Sequence, residues 1–171
     1  MPVIHSDIER LYEVCSNFSK PSLLQSCDCC HEEDAKQVLL NTPLRELSNQ
    51  QLWDFSFSVF TTIGCVDDFL YFLPRILHLA FIEPYDAIDL GLLGHKLYQS
   101  NYWDHSEILH NTVDAAVLDN FTRVIADSDT EESLICDWMC FIGNSIPNID
   151  PFLDALYASV SYTHLTLPTK A

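Results

Sequence analysis

Cys27-Asp-Cys-Cys-His31 is the one short run of soft metal-type donors in this chain. Cys27 and Cys30 form a Cys-x-x-Cys pair, and His31 follows at once. These are three donors of the kind zinc takes, with Cys29 or Cys15 available as a fourth. A strong zinc pattern has a second pair at comparable spacing, whereas the next cysteine after Cys30 is Cys65. The competing reading is a loop of small thiols used for packing. A dithiol redox motif would need a βαβ setting, which the surrounding sequence lacks. Cys27, Cys29, Cys30 and His31 therefore stand as candidate metal ligands, with zinc as the alternative to no cofactor.

Other chemistries find less support. Glu107-Ile-Leu-His110 is a single Glu-x-x-His, and a carboxylate-bridged di-metal bundle needs two such motifs plus two further glutamates. Asp104, His105 and Glu107 read as partners of a helix start instead. Cys136 and Cys140 flank Trp138 and Phe141 at helical spacing, which predicts a core stripe. No Gly-x-Ser-x-Gly turn is present, and His5, His31, His78, His95, His105 and His110 have no evident nucleophile beside them. No catalytic residue is assigned.

Arg45 and Arg75 are each set among leucines, in Pro43-Leu-Arg-Glu-Leu47 and in the run from Phe69 to Leu79. A guanidinium buried without a partner costs several kcal/mol, so each must find carboxylates or carbonyls. Asp67, Asp68 and Glu46 are the nearest candidates. The expectation is a structural ion-pair network of Arg45, Asp67, Asp68 and Arg75, or alternatively a polar pocket lined by Asp67, Asp68 and Arg75.

The elements that must position these residues are helices. Ser6-Asp-Ile-Glu9 is a capping box, and Ile8, Leu11, Tyr12 and Cys15 follow at 3/4 spacing. Three acids, Glu32 to Asp34, favour the start of a helix running to about Leu40. Ser48-Asn-Gln-Gln51 is a second capping box, opening a helix whose face carries Leu52, Phe55, Val59 and Phe60 and which Gly64 closes. Val66 to Ile82 reads as a long apolar helix with Phe69, Leu73 and Leu77 in the core and a kink or restart at Pro74. Further helices are expected from Asp86 to Gln99, Asp104 to Ala126 and Glu131 to Ile142. A loop at Gly143–Pro147 and a last helix opened by Asp150-Pro151 follow.

No segment alternates with period two, so the fold class is all-α. The helices group into antiparallel hairpins starting near residues 49, 86 and 131. A spacing of roughly 40 matches helical-pair solenoids, which makes a HEAT-like α-α superhelix the finer expectation.

The balance of 25 Asp+Glu against 8 Lys+Arg gives a net charge of −17. That field disfavours nucleic acid and anionic membrane surfaces, and it admits a basic partner or a cation. Four glycines are too few for a glycine-rich nucleotide loop or a turn-rich β-sandwich, and hydrophobic residues at 48% argue against disorder. The seven cysteines are an odd set for a disulfide framework. With no secretion signal in Met-Pro-Val-Ile-His-Ser-Asp, they read as reduced thiols of a cytoplasmic protein. No apolar run is long enough to span a membrane.

Three segments carry a resemblance: the cysteine turn Cys27 to Cys30, Pro43-Leu-Arg-Glu-Leu-Ser48, and Thr61-Thr-Ile-Gly-Cys-Val-Asp-Asp-Phe-Leu-Tyr-Phe-Leu-Pro-Arg75. Together they resemble a family of uncharacterised bacterial all-helical proteins, over about residues 25 to 155. The resemblance implies a longer helical protein and brings no activity, cofactor or catalytic residue with it. Val160 to Ala171 resembles the in-frame translation of a sequencing adapter. That predicts a single, incomplete helical domain over residues 1–159 and a non-native tail over 160–171.

These readings favour a non-catalytic, intracellular protein-interaction or scaffold domain with a protein partner. The alternative is a metal- or small-molecule-binding protein that uses the Cys27–His31 cluster or the Asp67/Asp68/Arg75 pocket.

Overall fold

The computed structural model describes residues 6–27, 30, 32–86 and 88–165. Within them run nine α-helices: α1 (Ser6–Cys15), α2 (Glu33–Asn41), α3 (Asn49–Ser58), α4 (Val66–Ile82), α5 (Leu90–Gln99), α6 (Tyr102–His105), α7 (Glu107–Ala126), α8 (Glu132–Ser145) and α9 (Asp150–Leu165). A short 3-10 turn, Leu44–Glu46, joins α2 to α3. No strand forms among the described residues; two isolated bridges, Ser26 with Ile63 and Val59 with Ile63, tie loops together. The all-α class is therefore the one adopted. None of these helices is long and apolar enough to cross a membrane.

Local chemistry sets most of the boundaries. The Ser48 hydroxyl accepts from the Gln51 N–H while the Gln51 side chain accepts from the Ser48 N–H, the reciprocal cap expected from the sequence. α3 ends sooner than its apolar pattern implied. Phe60 takes a left-handed φ of 69° and Gly64 one of 66°, so Val59 to Gly64 form a turn and Gly64 lies beyond the helix end. Asp89 caps α5 by accepting from the Leu92 N–H, which starts that helix later than Asp86. Ser106 is extended and caps α7 through the Leu109 N–H, splitting off the single turn of α6 from the helix expected to begin at Asp104. α8 runs through Gly143 to Ser145, where the Ser145 hydroxyl donates to the Phe141 carbonyl; the loop expected at Gly143 begins three residues later.

α4 is the central element. Phe69, Leu70, Phe72, Leu73, Ile76 and Leu77 are all fully buried, which uses more of its circumference than a surface helix would. Pro74 sits inside this helix without interrupting it. An interior proline costs about 3 kcal/mol. Each large apolar side chain buried around it returns about 1.5–3 kcal/mol, so α4 continues as one element past Pro74 and does not restart there.

α1 lays Ile8, Leu11, Tyr12 and Cys15 against both α4 and α7. α5 packs most extensively on α8, and α7 receives α6 and α9. α5 and α8 approach closely at Gly94. A Cβ placed there would stand 2.8 Å from the Phe141 carbonyl oxygen and 3.1 Å from the Phe141 Cα. Only glycine lets the two backbones meet so closely. Trp138 and Phe141 fill the space beside this crossing, with ring centroids 5.3 Å apart.

Candidate functional site

The polar residues picked out in the sequence are distributed among three structural devices. The first ties α1 to the 3-10 turn and α4. Arg45 makes a two-pronged pair with Glu9, Nη1 to Oε1 at 2.7 Å and Nη2 to Oε2 at 2.8 Å. Its guanidinium carbon also lies 3.8 Å from the centre of the Tyr12 ring. The Tyr12 hydroxyl in turn meets His78 Nδ1 at 3.2 Å. Arg75 donates from Nε to the Leu47 carbonyl at 2.6 Å. The Arg45 guanidinium holds the Glu9 carboxyl below the usual carboxylate range, and burial raises the Tyr12 hydroxyl.

The second device is the turn before α4. Thr61 donates to the Ser58 carbonyl, Gly64 supplies the left-handed residue, and Asp68 Oδ2 accepts from the Cys65 N–H at 2.9 Å. Asp67 and Asp68 both stand in the first turn of α4, where the helix dipole favours them. The expected network of Arg45, Asp67, Asp68 and Arg75 is thus replaced. Among the described residues the two arginines sit with Glu9, Tyr12 and Leu47, and the two aspartates serve the helix start. Glu9 lies 36 residues from Arg45, so sequence proximity to Asp67 and Glu46 was the wrong guide.

One lysine is buried in this region. Lys96 is only 4% exposed; its Nζ donates to the Val59 carbonyl at 2.6 Å and lies 5.9 Å from the centre of the Phe60 ring. Burial lowers its pKa. It pins the strained Val59–Gly64 turn to α5.

The third device joins α6 to α7. The Tyr102 hydroxyl donates to Asp114 Oδ1 at 2.6 Å, and His110 Nε2 lies 3.2 Å from Asp114 Oδ2. Burial raises the Tyr102 hydroxyl strongly, the neighbouring Asp114 adding to the effect; burial raises Asp114 too, against the pull of Tyr102 and His110. His110 thus pairs four residues on, with Asp114. Tyr102 is fully buried. The arrangement locks the short helix to the long one.

Of the candidate zinc ligands, Cys29 and His31 lie outside the described residues. Cys27 and Cys30 are exposed, with the Cys30 N–H donating to the Cys27 carbonyl at 3.1 Å. The Cys27 N–H donates to the Thr62 carbonyl at 2.8 Å, which ties Cys27 to the turn before α4. Among the described residues no group of three or more His, Cys, Asp or Glu is placed to hold a metal ion. Cys15 is buried in the core, its thiol pushed up to about 12 by burial, so it packs rather than ligates. The stripe expected on α8 divides: Trp138 and Phe141 are buried, while Cys136 and Cys140 face out.

Away from these devices, α3, α5 and α8 share a face whose apolar groups are uncovered. Trp53 is 48% exposed and Phe57 59% exposed, one turn apart on α3. With Ile88 and Leu92 they line a mostly apolar hollow of about 340 Å³. Ile88 and Asp89 also border a second hollow of about 430 Å³, whose walls include Tyr85, Glu131, Asp137 and Cys140. The sequence reading passed over this face, although a signal was present. α3 carries Leu52 and Phe55 toward the core and Trp53 and Phe57 away from it, and a helix apolar on two sides has something to meet on each.

No protein family, curated protein or solved structure matches the chain.

Proposed function

We propose that this chain is a non-catalytic, cytoplasmic protein-interaction domain. The observation that carries the reading is the uncovered aromatic hollow of Trp53 and Phe57, on a helix whose other side, Leu52 and Phe55, is buried in the core. The Arg45–Glu9, Asp68–Cys65 and Tyr102–Asp114–His110 groups each serve a cap, a turn or a helix-to-helix tie. The fold enters the proposal as an all-α assembly. In it α3 packs on α4 and α7 on α8, as sequence-adjacent pairs do in a HEAT-like stack, while α1 on α7 and α5 on α8 join pairs distant in sequence. Kinship with the bacterial family suggested by the Cys27–Cys30, Pro43–Ser48 and Thr61–Arg75 segments adds no activity to this reading.

The test is recovery of a stoichiometric partner from the cells that make the protein, with the doubly substituted W53A/F57A chain as the control. One defined partner, lost from the control, is the expected result. A chain repeatedly recovered alone and monomeric would overturn the proposal. So would stoichiometric zinc on protein purified without added metal, if Cys27→Ser and Cys30→Ser removed it.

A further inference from the structure

We infer that the α3/α5/α8 face takes one kind of occupant, an amphipathic helix bearing Lys or Arg beside its apolar anchors; this rests on the interaction reading above. The two hollows adjoin through Ile88 and Asp89, so an apolar floor passes directly into an acidic trough. Trp53, Phe57 and Leu92 offer the apolar part. Asp89, Glu131 and Asp137 offer the acidic part, and neither hollow is lined by Lys or Arg.

The neighbourhood has no cation to spare. α3 and α8 contain neither Lys nor Arg, and after Arg123 the next Lys or Arg in the sequence is Lys170. The one lysine of α5, Lys96, is buried with its Nζ on the Val59 carbonyl. An acidic or phosphorylated ligand would meet unscreened carboxylates here, whereas ammonium or guanidinium groups would neutralise them. Asp89 commits Oδ1 to the Leu92 N–H, and the Asp137 carboxylate makes no hydrogen bond or ion pair among the described residues.

The shape favours a helix over an extended peptide. No sheet edge exists among the described residues for strand addition, and adjoining hollows between helices suit anchors at i, i+3 or i+4, and i+7. Exposed aromatics supply the anchoring area, and the carboxylates set orientation and the rate of encounter.

The experiment is selection of a displayed library of helical peptides against the whole chain, followed by binding measurements on synthetic copies of the winners. Three proteins are compared: the wild type, W53A/F57A, and E131Q/D137N, each checked for unchanged helicity by circular dichroism. Enrichment of peptides with apolar residues at helical spacing and flanking Lys or Arg is expected. Their Kd should rise at least tenfold on W53A/F57A. It should rise severalfold on E131Q/D137N at low salt, with a flatter salt dependence. Enrichment of neutral or acidic peptides, no enrichment, or affinities indifferent to both variants would overturn the inference. So would concentration-dependent self-association that W53A/F57A abolishes, since the face would then be covered by a second copy of the chain. If a partner from the source cells is lost on W53A/F57A but binds E131Q/D137N as it binds the wild type, the basic-helix inference fails while the interaction reading stands.

Discussion

Replacing Gly94 by alanine should loosen the crossing of α5 on α8. The new Cβ would lie 2.8 Å from the Phe141 oxygen, 3.1 Å from its Cα and 3.3 Å from its carbonyl carbon, all backbone atoms of the facing helix. No side chain can swing aside to make room. Ordinary contacts at a Cβ begin near 3.4 Å, so the helices must part by roughly 0.6 Å at a core-lining position. Overpacking of this kind costs about 1–3 kcal/mol, and rigid backbone on both sides places it in the upper half of that range. Alanine's better helix propensity returns about 0.8–1 kcal/mol, leaving a net loss of about 1–2 kcal/mol. Gly143 on α8 supplies the control, since a Cβ there meets nothing within 4 Å. Gly143→Ala should gain about 0.5–1 kcal/mol from propensity alone. The two variants should therefore separate by roughly 2 kcal/mol, or about 4–8 °C in melting temperature. Urea unfolding followed by helix circular dichroism reads both. Equal stability of the two variants, or a stabilised Gly94→Ala, would refute the packing of α5 on α8 described above.

Breaking the Arg45–Glu9 pair should cost little, because the side chains are 50% and 38% exposed. A double-mutant cycle of Glu9→Gln and Arg45→Met should give a coupling of about 0.5–1 kcal/mol. Glu9 has a lowered folded-state pKa, so this coupling is fully present above the unfolded glutamate value near about 4.3 and is lost as pH falls through the lower folded value. Acid titration of the cycle should show that loss, and a coupling that grows in acid would contradict the pairing. Ser48→Ala removes the α3 cap and should lower stability by about 1 kcal/mol, measured by the same urea unfolding. Lys96→Met tests the buried lysine. The folded-state pKa of Lys96 is lowered, so its charge penalty is complete below that value and is relieved as pH rises toward the unfolded value near about 10.4. Wild type should gain on Lys96→Met as the pH climbs through that window; a constant difference between the two proteins would sink the assignment.

Much of the fold could be read from local signals, because caps and periodicity act over a few residues. Ser48 with Gln51, the burial of Phe69, Leu73 and Leu77, and the start of α4 at Val66 all follow from short-range chemistry. The failures are long-range or competitive. Arg45 found Glu9 on a distant helix, and Pro74 was outweighed by the core on every side of it. Ser106 broke one expected helix into two because its hydroxyl was placed to cap the second. At the candidate site, Cys136 and Cys140 lie four residues apart on one side of α8, and Trp138 stands two residues from each on the opposite side, so burying Trp138 and Phe141 turns the thiols out. On α3 the expected face is the buried one: Leu52, Phe55 and Val59 turn inward, with Phe55 against Phe72 of α4, and what went unread is that Trp53 and Phe57 make the other side apolar as well.

The docking of α1 onto α7 has a consequence for how the chain leaves the ribosome. α1 is made before α7, so one of its two supports arrives roughly ninety residues later. At ordinary elongation speeds that delay is about 5–20 s. Throughout it Ile8, Leu11, Tyr12 and Cys15 wait without their final cover, and the newborn chain must be shielded or must tolerate a sticky helix until translation reaches α7.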